Sequence, residues 1–248
     1  MLLRRIASAL RRQDWTTVLI ELALVVAGVL VALQVNNWNG YRAERNAERA
    51  LMERLHLDVQ TTRDGLQKFA ELRRTRLENL HAVSDIYFSH SELRPLTSAE
   101  CSAIRDTHII SFPPADVPTL AEVFAGGQIS LIHSDQVRSA ILKLEQANGR
   151  SHTLFDALSR DKLELTRLHP DLLTIDIDRS DDGTVAVTAI CDFEAMGESS
   201  AFLNDLASNI GRNSAYVLIM IDPLVDALDN LHAELDVVLS VTHAEATP

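Results

Sequence analysis

The stretch Thr16–Val35, TTVLIELALVVAGVLVALQV, decides the fold because its 20 positions contain a single ionisable residue, Glu21. A helix of about 20 apolar residues, rising 1.5 Å per residue, spans a hydrocarbon core of roughly 30 Å. Trp15 and Trp38 flank the stretch, and indole side chains favour the boundary between lipid and water. The sequence therefore predicts a transmembrane helix over residues 15–38, with the lipid bilayer as its first partner.

A cleaved signal peptide is the alternative explanation for this stretch, since basic residues precede an apolar run. No convincing small-x-small cleavage site follows the run, which favours an uncleaved anchor. Residues 1–14 carry four arginines and a net charge of +3, as expected of a short tail that stays in the cytoplasm. We therefore expect a single-pass protein of the bacterial inner membrane with a cytoplasmic N-terminus and a periplasmic main domain.

Glu21 requires an explanation because a carboxylate inside hydrocarbon is costly unless it is protonated, paired or close to the interface. One explanation is that it reaches the cytoplasmic headgroups or the arginines of the tail. The other is that Glu21, Gly28 and Ala32 share one helix face, where the two small residues let another helix approach closely. The second explanation predicts a homo-oligomer or a complex with another membrane protein.

Beyond the span, apolar residues recur at helical spacing in three long segments, which predicts a mostly α protein. Residues 39–88 form a juxtamembrane stalk helix, and residues 89–248 form a helical domain that packs on it. The final helix is about as long as the stalk, so the two are expected to run antiparallel in a bundle. Four further helices are predicted in the domain. Ser98 caps the first, Thr119 starts the second, Ser134 caps the third, which ends at Pro170, and the last runs from Ser200 across Pro223 to about Val241.

Residues 172–193 change to an alternation of apolar and polar side chains, typical of strands. The sequence Ser-Asp-Asp-Gly at 180–183 lies between the two alternating runs and favours a tight turn. The sequence thus predicts one β-hairpin. Four aspartates around it, including Asp176, resemble a calcium site in composition, but their spacing is not that of an EF-hand and a solvated turn is favoured.

Motifs of known chemistry are missing from the chain, which contains no GxGxxG, P-loop, GxSxG, HExxH or CxxC sequence and no pair of histidines at i and i+4. We therefore predict that it is not an enzyme and that it holds no cofactor and no metal. Residues 38–248 carry a net charge of −14. Such an acidic surface repels phosphate backbones, so nucleic acid is excluded as a partner.

Cys101 and Cys191 are the only cysteines in the chain. An oxidising exterior permits a disulfide between them, which would tie the helix after the stalk to the second hairpin strand. Alternatively, both are ordinary buried thiols, which pack as small apolar side chains. The sequence leaves both possibilities open.

The opening LLRRIASALRRQDWTTVLIELALVVAGVLVALQVNNWN resembles the start of a family of uncharacterised bacterial single-pass membrane proteins, defined only as a domain of unknown function. The segments GGQISLIHSDQVRSAIL and FLNDLASNIGRN are similar to two further elements of that family, whereas residues 89–117 match weakly. The resemblance implies a bacterial membrane protein and no catalytic residue.

Two functions fit these patterns. The first is a non-enzymatic, membrane-anchored envelope protein whose helical domain mediates self-association or binds another protein. The second is a ligand-sensing or regulatory module that acts through a membrane partner. A cytoplasmic tail of 14 residues is too short for an output domain, which favours the first.

Overall fold

Helix α1 extends without interruption from Trp15 to Phe88 in a computed structural model of the chain. No proline occurs in these 74 residues, so no backbone donor is lost along the helix. The structure describes residues 15–89, 93–160, 162–179, 183 and 185–241. The predicted tail 1–14 lies outside the described residues, and so do the three residues 180–182 of the predicted hairpin turn.

The chain divides into two units, residues 1–51 and 52–248, and α1 contributes to both. Within the first unit, α1 contains an 18-residue window with a mean hydropathy of 2.2 and no buried residue. By length and composition, α1 is the one helix in the described part of the chain that is able to cross a membrane. A fully exposed apolar surface of this kind suits a lipid environment.

The second unit is mostly helical and contains one hairpin, so the predicted mostly α fold is confirmed. Two short 3₁₀ turns, Asp106–His108 and Gln128–Leu131, connect some of the helices. A π-helical turn, Tyr216–Ile221, joins the last two helices. After α1, the elements are α2 (Ser98–Arg105), α3 (Pro118–Ala125), α4 (Asp135–Arg160), α5 (Leu165–Leu168), β1 (Leu173–Arg179), β2 (Val185–Cys191), α6 (Phe193–Glu198), α7 (Ser200–Ala215) and α8 (Asp222–Leu239).

The predicted apolar stripe of the stalk forms the buried face of α1 in this unit, although Phe69 and Tyr87 are only half-buried. The stripe of the C-terminal helix is likewise buried, except at Leu203, which is half-buried, and at Val238, which is exposed. Side chains every three or four residues therefore point into one core from both helices. The buried apolar residues of α1 in this unit are Met52, Leu55, Val59, Leu66, Ala70, Leu77, Leu80, Val83 and Ile86, and those of α8 include Leu224, Leu228, Leu231 and Leu235.

The C-terminal helical run changes to π-helical geometry just before Pro223. Proline lacks an N–H and its ring collides with the carbonyl one turn earlier, which disfavours a regular α-helix at that point. A π turn is a common way to accommodate such a defect without ending the helix. The prediction that the helix continues across Pro223 is thus confirmed, with a local change of geometry.

Some predicted helix boundaries differ from the structure. The helix predicted to continue to Pro170 ends at Arg160, and beyond this end the carbonyl of Leu163 accepts a hydrogen bond of 2.8 Å from Asn209 Nδ2. Thr97, and not Ser98, caps α2. Helix α3 begins at Pro118, one residue before the predicted start, because the fixed φ of proline suits a first helical position.

The hairpin is antiparallel and pairs Leu173 with Cys191 at one end and Arg179 with Val185 at the other. Among the described residues of the hairpin, Leu173 is buried, Ala189 and Cys191 are partly buried and the others are exposed, so the hairpin is anchored at its base. The strands are shorter than the predicted span of 172–193. At the base, the hairpin joins a core that includes Leu80, Ile104, Leu165, Met196, Phe202 and Leu206.

Candidate functional site

The residues predicted for helix packing in the span lie on the exposed surface of α1. Glu21, Gly28 and Ala32 are all exposed, and a Cβ atom at Gly28 would meet no other atom within 4 Å. Trp15 is the first residue of the helix. Trp38 is 61% exposed, and the guanidinium of Arg42 lies 5.9 Å from the centre of its ring. This surface is thus open to lipid or to another helix.

Cys101 and Cys191 form a disulfide in the structure, with Cα atoms 5.9 Å apart. The bond joins α2 to the end of β2 and closes a separation of 90 residues. Nearby, burial raises the pKa of Tyr87 to about 12. Its hydroxyl therefore keeps its proton at neutral pH and donates to the carbonyl of Phe193 at 3.1 Å.

A capping box orients the helix that carries Cys101. The side chain of Thr97 accepts from the backbone N–H of Glu100, and the carboxylate of Glu100 accepts from the N–H of Thr97 at 2.7 Å. Arg94 donates two hydrogen bonds, 2.9 and 2.6 Å long, to the same carboxylate. The bond from Arg94 is the main cause that lowers the pKa of Glu100 to about 2, with further contributions from Thr97.

Helices α1 and α8 run antiparallel and are joined by a series of polar contacts. Arg63 Nε lies 2.5 Å from a carboxylate oxygen of Asp229, and Gln67 donates to the same oxygen at 3.1 Å. Further along α1, Arg74 lies 2.7 Å from the carboxylate of Asp222 at the start of α8. Residue numbers rise along one helix as they fall along the other, which confirms the predicted antiparallel pairing.

The same interface contains a cluster of two histidines and one aspartate. His56 Nε2 lies 2.7 Å from one carboxylate oxygen of Asp236, and His232 Nδ1 lies 3.1 Å from the other. The two imidazole rings are stacked with centroids 4.9 Å apart. The histidines are only 7% and 6% exposed. Sequence reasoning missed this cluster because 176 positions separate the two histidines, and the only local signal is the i, i+4 spacing of His232 and Asp236.

An open apolar groove lies between α4 and the π-helical turn, with a volume of about 770 Å³. Leu218 and Ile219 project from the turn and are 58% and 63% exposed. Arg150 is the only charged residue of the lining. The remaining lining residues are Gln146, Ala147, Gly149, Thr153, Leu154, Ala157 and Pro223.

Helical spacing explains why two apolar residues are exposed beside this groove. An α-helical stripe that places Val217 and Ile221 in the core directs the intervening Leu218 and Ile219 outward. The sequence shows these two apolar residues outside the buried stripe, which is the signal that points to this surface. Large exposed apolar patches commonly mark contacts with other proteins.

No family model, curated protein or solved structure matches this chain. The resemblance to an uncharacterised family of bacterial membrane proteins therefore stays a prediction, and the function has to be argued from the surfaces described above.

Proposed function

We propose that this chain is a non-enzymatic, membrane-anchored envelope protein whose helical unit self-associates. The observation that carries the proposal is the apolar groove beside the π turn, with Leu218 and Ile219 exposed at its edge. Burial of these two side chains in a second copy removes apolar surface from water, at roughly 25 cal/mol per Å².

The proposed occupant of the groove is a second copy because each chain supplies both halves of the contact. Gly149 and Ala157 leave space in the groove wall, and Leu218 and Ile219 project beside it. A two-fold arrangement brings the same patch of both copies together, as most homodimers do. Arg150 is the only charge in the lining, so the acidic surface of the chain adds little repulsion there.

Membrane anchoring favours the same occupant. Chains held by the apolar part of α1 share one plane, which raises their effective concentration. The exposed face of Glu21, Gly28 and Ala32 offers a second contact within the bilayer, because small residues let helix backbones approach.

The alternative, a ligand-sensing module, fits the groove less well. Its volume is within the range of small-molecule sites, roughly 300–1,000 Å³. Such sites enclose most of the ligand and hold it with a few converging polar groups. Here the groove is open beside Leu218 and Ile219, and one arginine is its only charged group.

The experiment is light scattering on the full-length chain in detergent. We expect a dimer for the natural sequence and a monomer for the Leu218→Glu, Ile219→Glu double variant, with a dissociation constant at least about 100-fold higher, equivalent to about 2.7 kcal/mol. Leu72→Glu is the matched control, because Leu72 is 70% exposed on α1 and is not part of the groove. A monomeric natural chain, or equal dissociation by Leu72→Glu, contradicts the proposal.

We further propose that the chain crosses the bacterial inner membrane once, with the helical unit in the periplasm. The disulfide supports this placement, since such bonds persist in oxidising compartments and are rare in the cytosol. A C-terminal fusion to alkaline phosphatase should be active. A C-terminal fusion to green fluorescent protein should be dark when it is exported by the general secretion route. The reverse pair of results overturns the placement.

A further inference from the structure

We propose that His56, His232 and Asp236 form a binding site for one divalent transition-metal ion, with Zn²⁺ as the reference ion. The site joins α1 to α8 and lies wholly within the second unit of the chain. It is independent of the proposed self-association, because none of its residues lines the groove.

The first argument is the distance between the three residues. One nitrogen of each imidazole and one carboxylate oxygen all lie within 4.8 Å of one another. A tetrahedral zinc ion with bonds of about 2.0–2.1 Å places its ligand atoms about 3.4 Å apart. The widest pair therefore has to close by about 1.4 Å at most to reach that geometry.

The second argument is the chemistry of the donors. Two imidazoles and a carboxylate are the ligands of many zinc sites and of non-haem iron sites, whereas Mg²⁺ and Ca²⁺ prefer oxygen ligands alone. A metal ion would replace the proton that lies between His56 and Asp236 at 2.7 Å, and it would need both imidazoles neutral. Three protein ligands leave at least one coordination position for water.

The third argument comes from burial and from a second histidine–aspartate pair. His56 and His232 are almost fully buried, where two polar rings are costly unless they have strong partners. Elsewhere, His169 lies 2.9 Å from Asp205, but its ring packs edge-on against Phe202. The pair of His169 and Asp205 shows that one histidine and one aspartate are enough to link two elements. The cluster around Asp236 differs because a second imidazole lies on the other side of the carboxylate.

An ion at this site would act as a structural clip between two helices whose ligands are up to 180 positions apart. Because the unfolded chain does not hold the three ligands together, metal binding adds directly to the stability of the folded state. The expected result is a higher thermal midpoint with metal than with chelator.

The test uses the full-length chain in detergent, stripped with a chelator and titrated with Zn²⁺ and with Co²⁺. We expect one ion per chain by calorimetry, a rise in the thermal midpoint on adding Zn²⁺, and the visible absorption of cobalt in a low-symmetry nitrogen and oxygen site. Absence of stoichiometric binding, with no thermal shift, overturns the proposal. The three side chains are then held together by hydrogen bonds alone.

Two variants and a control locate the ion. Loss of a residue that hydrogen-bonds to a metal ligand typically weakens metal binding by about 10–100-fold. His232→Gln and Asp236→Asn should each weaken Zn²⁺ binding by more than that, because each removes a direct ligand. His169→Gln should bind like the natural chain, since His169 belongs to the isolated pair. Binding that survives both cluster variants, or that is lost in His169→Gln, refutes the assignment. Far-UV circular dichroism of the metal-free variants checks that each is folded.

Discussion

Removal of the disulfide should lower the free energy of unfolding more than any other single change that the structure suggests. The bond closes a separation of 90 residues between Cys101 and Cys191. On the chain-entropy relation, a loop of that length corresponds to about 4.6 kcal/mol at 25 °C, mostly through restriction of the unfolded chain. For a unit of this size, that converts to a thermal midpoint lower by roughly 9–18 °C.

The assay is urea and thermal unfolding of the full-length chain in detergent, followed by far-UV circular dichroism. Cys101→Ala, Cys191→Ala and the double variant should lose the same free energy within about 0.5 kcal/mol, because either single change already removes the bond. Reduction of the natural chain serves as a chemical control and should reproduce the loss. A loss below about 1 kcal/mol in the double variant would refute the reasoning.

Three other perturbations have defined outcomes. The pKa of Glu100 is lowered from 4.5 to about 2. Its contribution to the free energy of unfolding is therefore complete above about pH 4.5 and is lost as the pH falls through about 2. Glu100→Gln should abolish that part of the acid dependence measured by urea unfolding at several pH values. Asp58 accepts from the N–H and hydroxyl of Thr119 at 3.0 and 2.5 Å, so Asp58→Asn should cost about 1–2 kcal/mol in the same assay, and Asp64→Asn close to nothing. Gly28→Ile should weaken self-association in a membrane two-hybrid assay, and an unchanged signal would mean that the small residues make no contact.

Much of this fold follows from local patterns in the sequence. The long apolar part of α1 is evident from one run of apolar residues, and the stripes of α1 and α8 are evident from helical spacing, because burial of one face is a local property of each helix. The hairpin follows from alternation in the same way. These features need no knowledge of which other element is nearby.

Boundaries that depend on distant partners are harder to predict. The carboxylate that binds the N-terminus of α3 comes from Asp58 on α1, and 61 positions separate it from Thr119. In the segment after α4, the carbonyl of Leu163 accepts a hydrogen bond from the side chain of Asn209, 46 positions away. The sequence around each of these two side chains gives no signal of its role, because an aspartate on a helix and an asparagine beside an apolar stripe are both common.

The histidine cluster shows why the site could not be derived from the sequence. A stripe defines which face of a helix is buried but not the offset between two helices, and an error of one turn gives His56 a different neighbour. The structure resolves the offset through polar contacts: from His56 to Arg63 along α1, the carboxylate partner moves from Asp236 to Asp229, seven residues in each helix. Seven residues are about two helical turns, so both pairs lie on the same seam. Only with this offset does His232, one turn before Asp236, come to stack on His56, and the candidate metal ligands are thus a consequence of register and not of any motif.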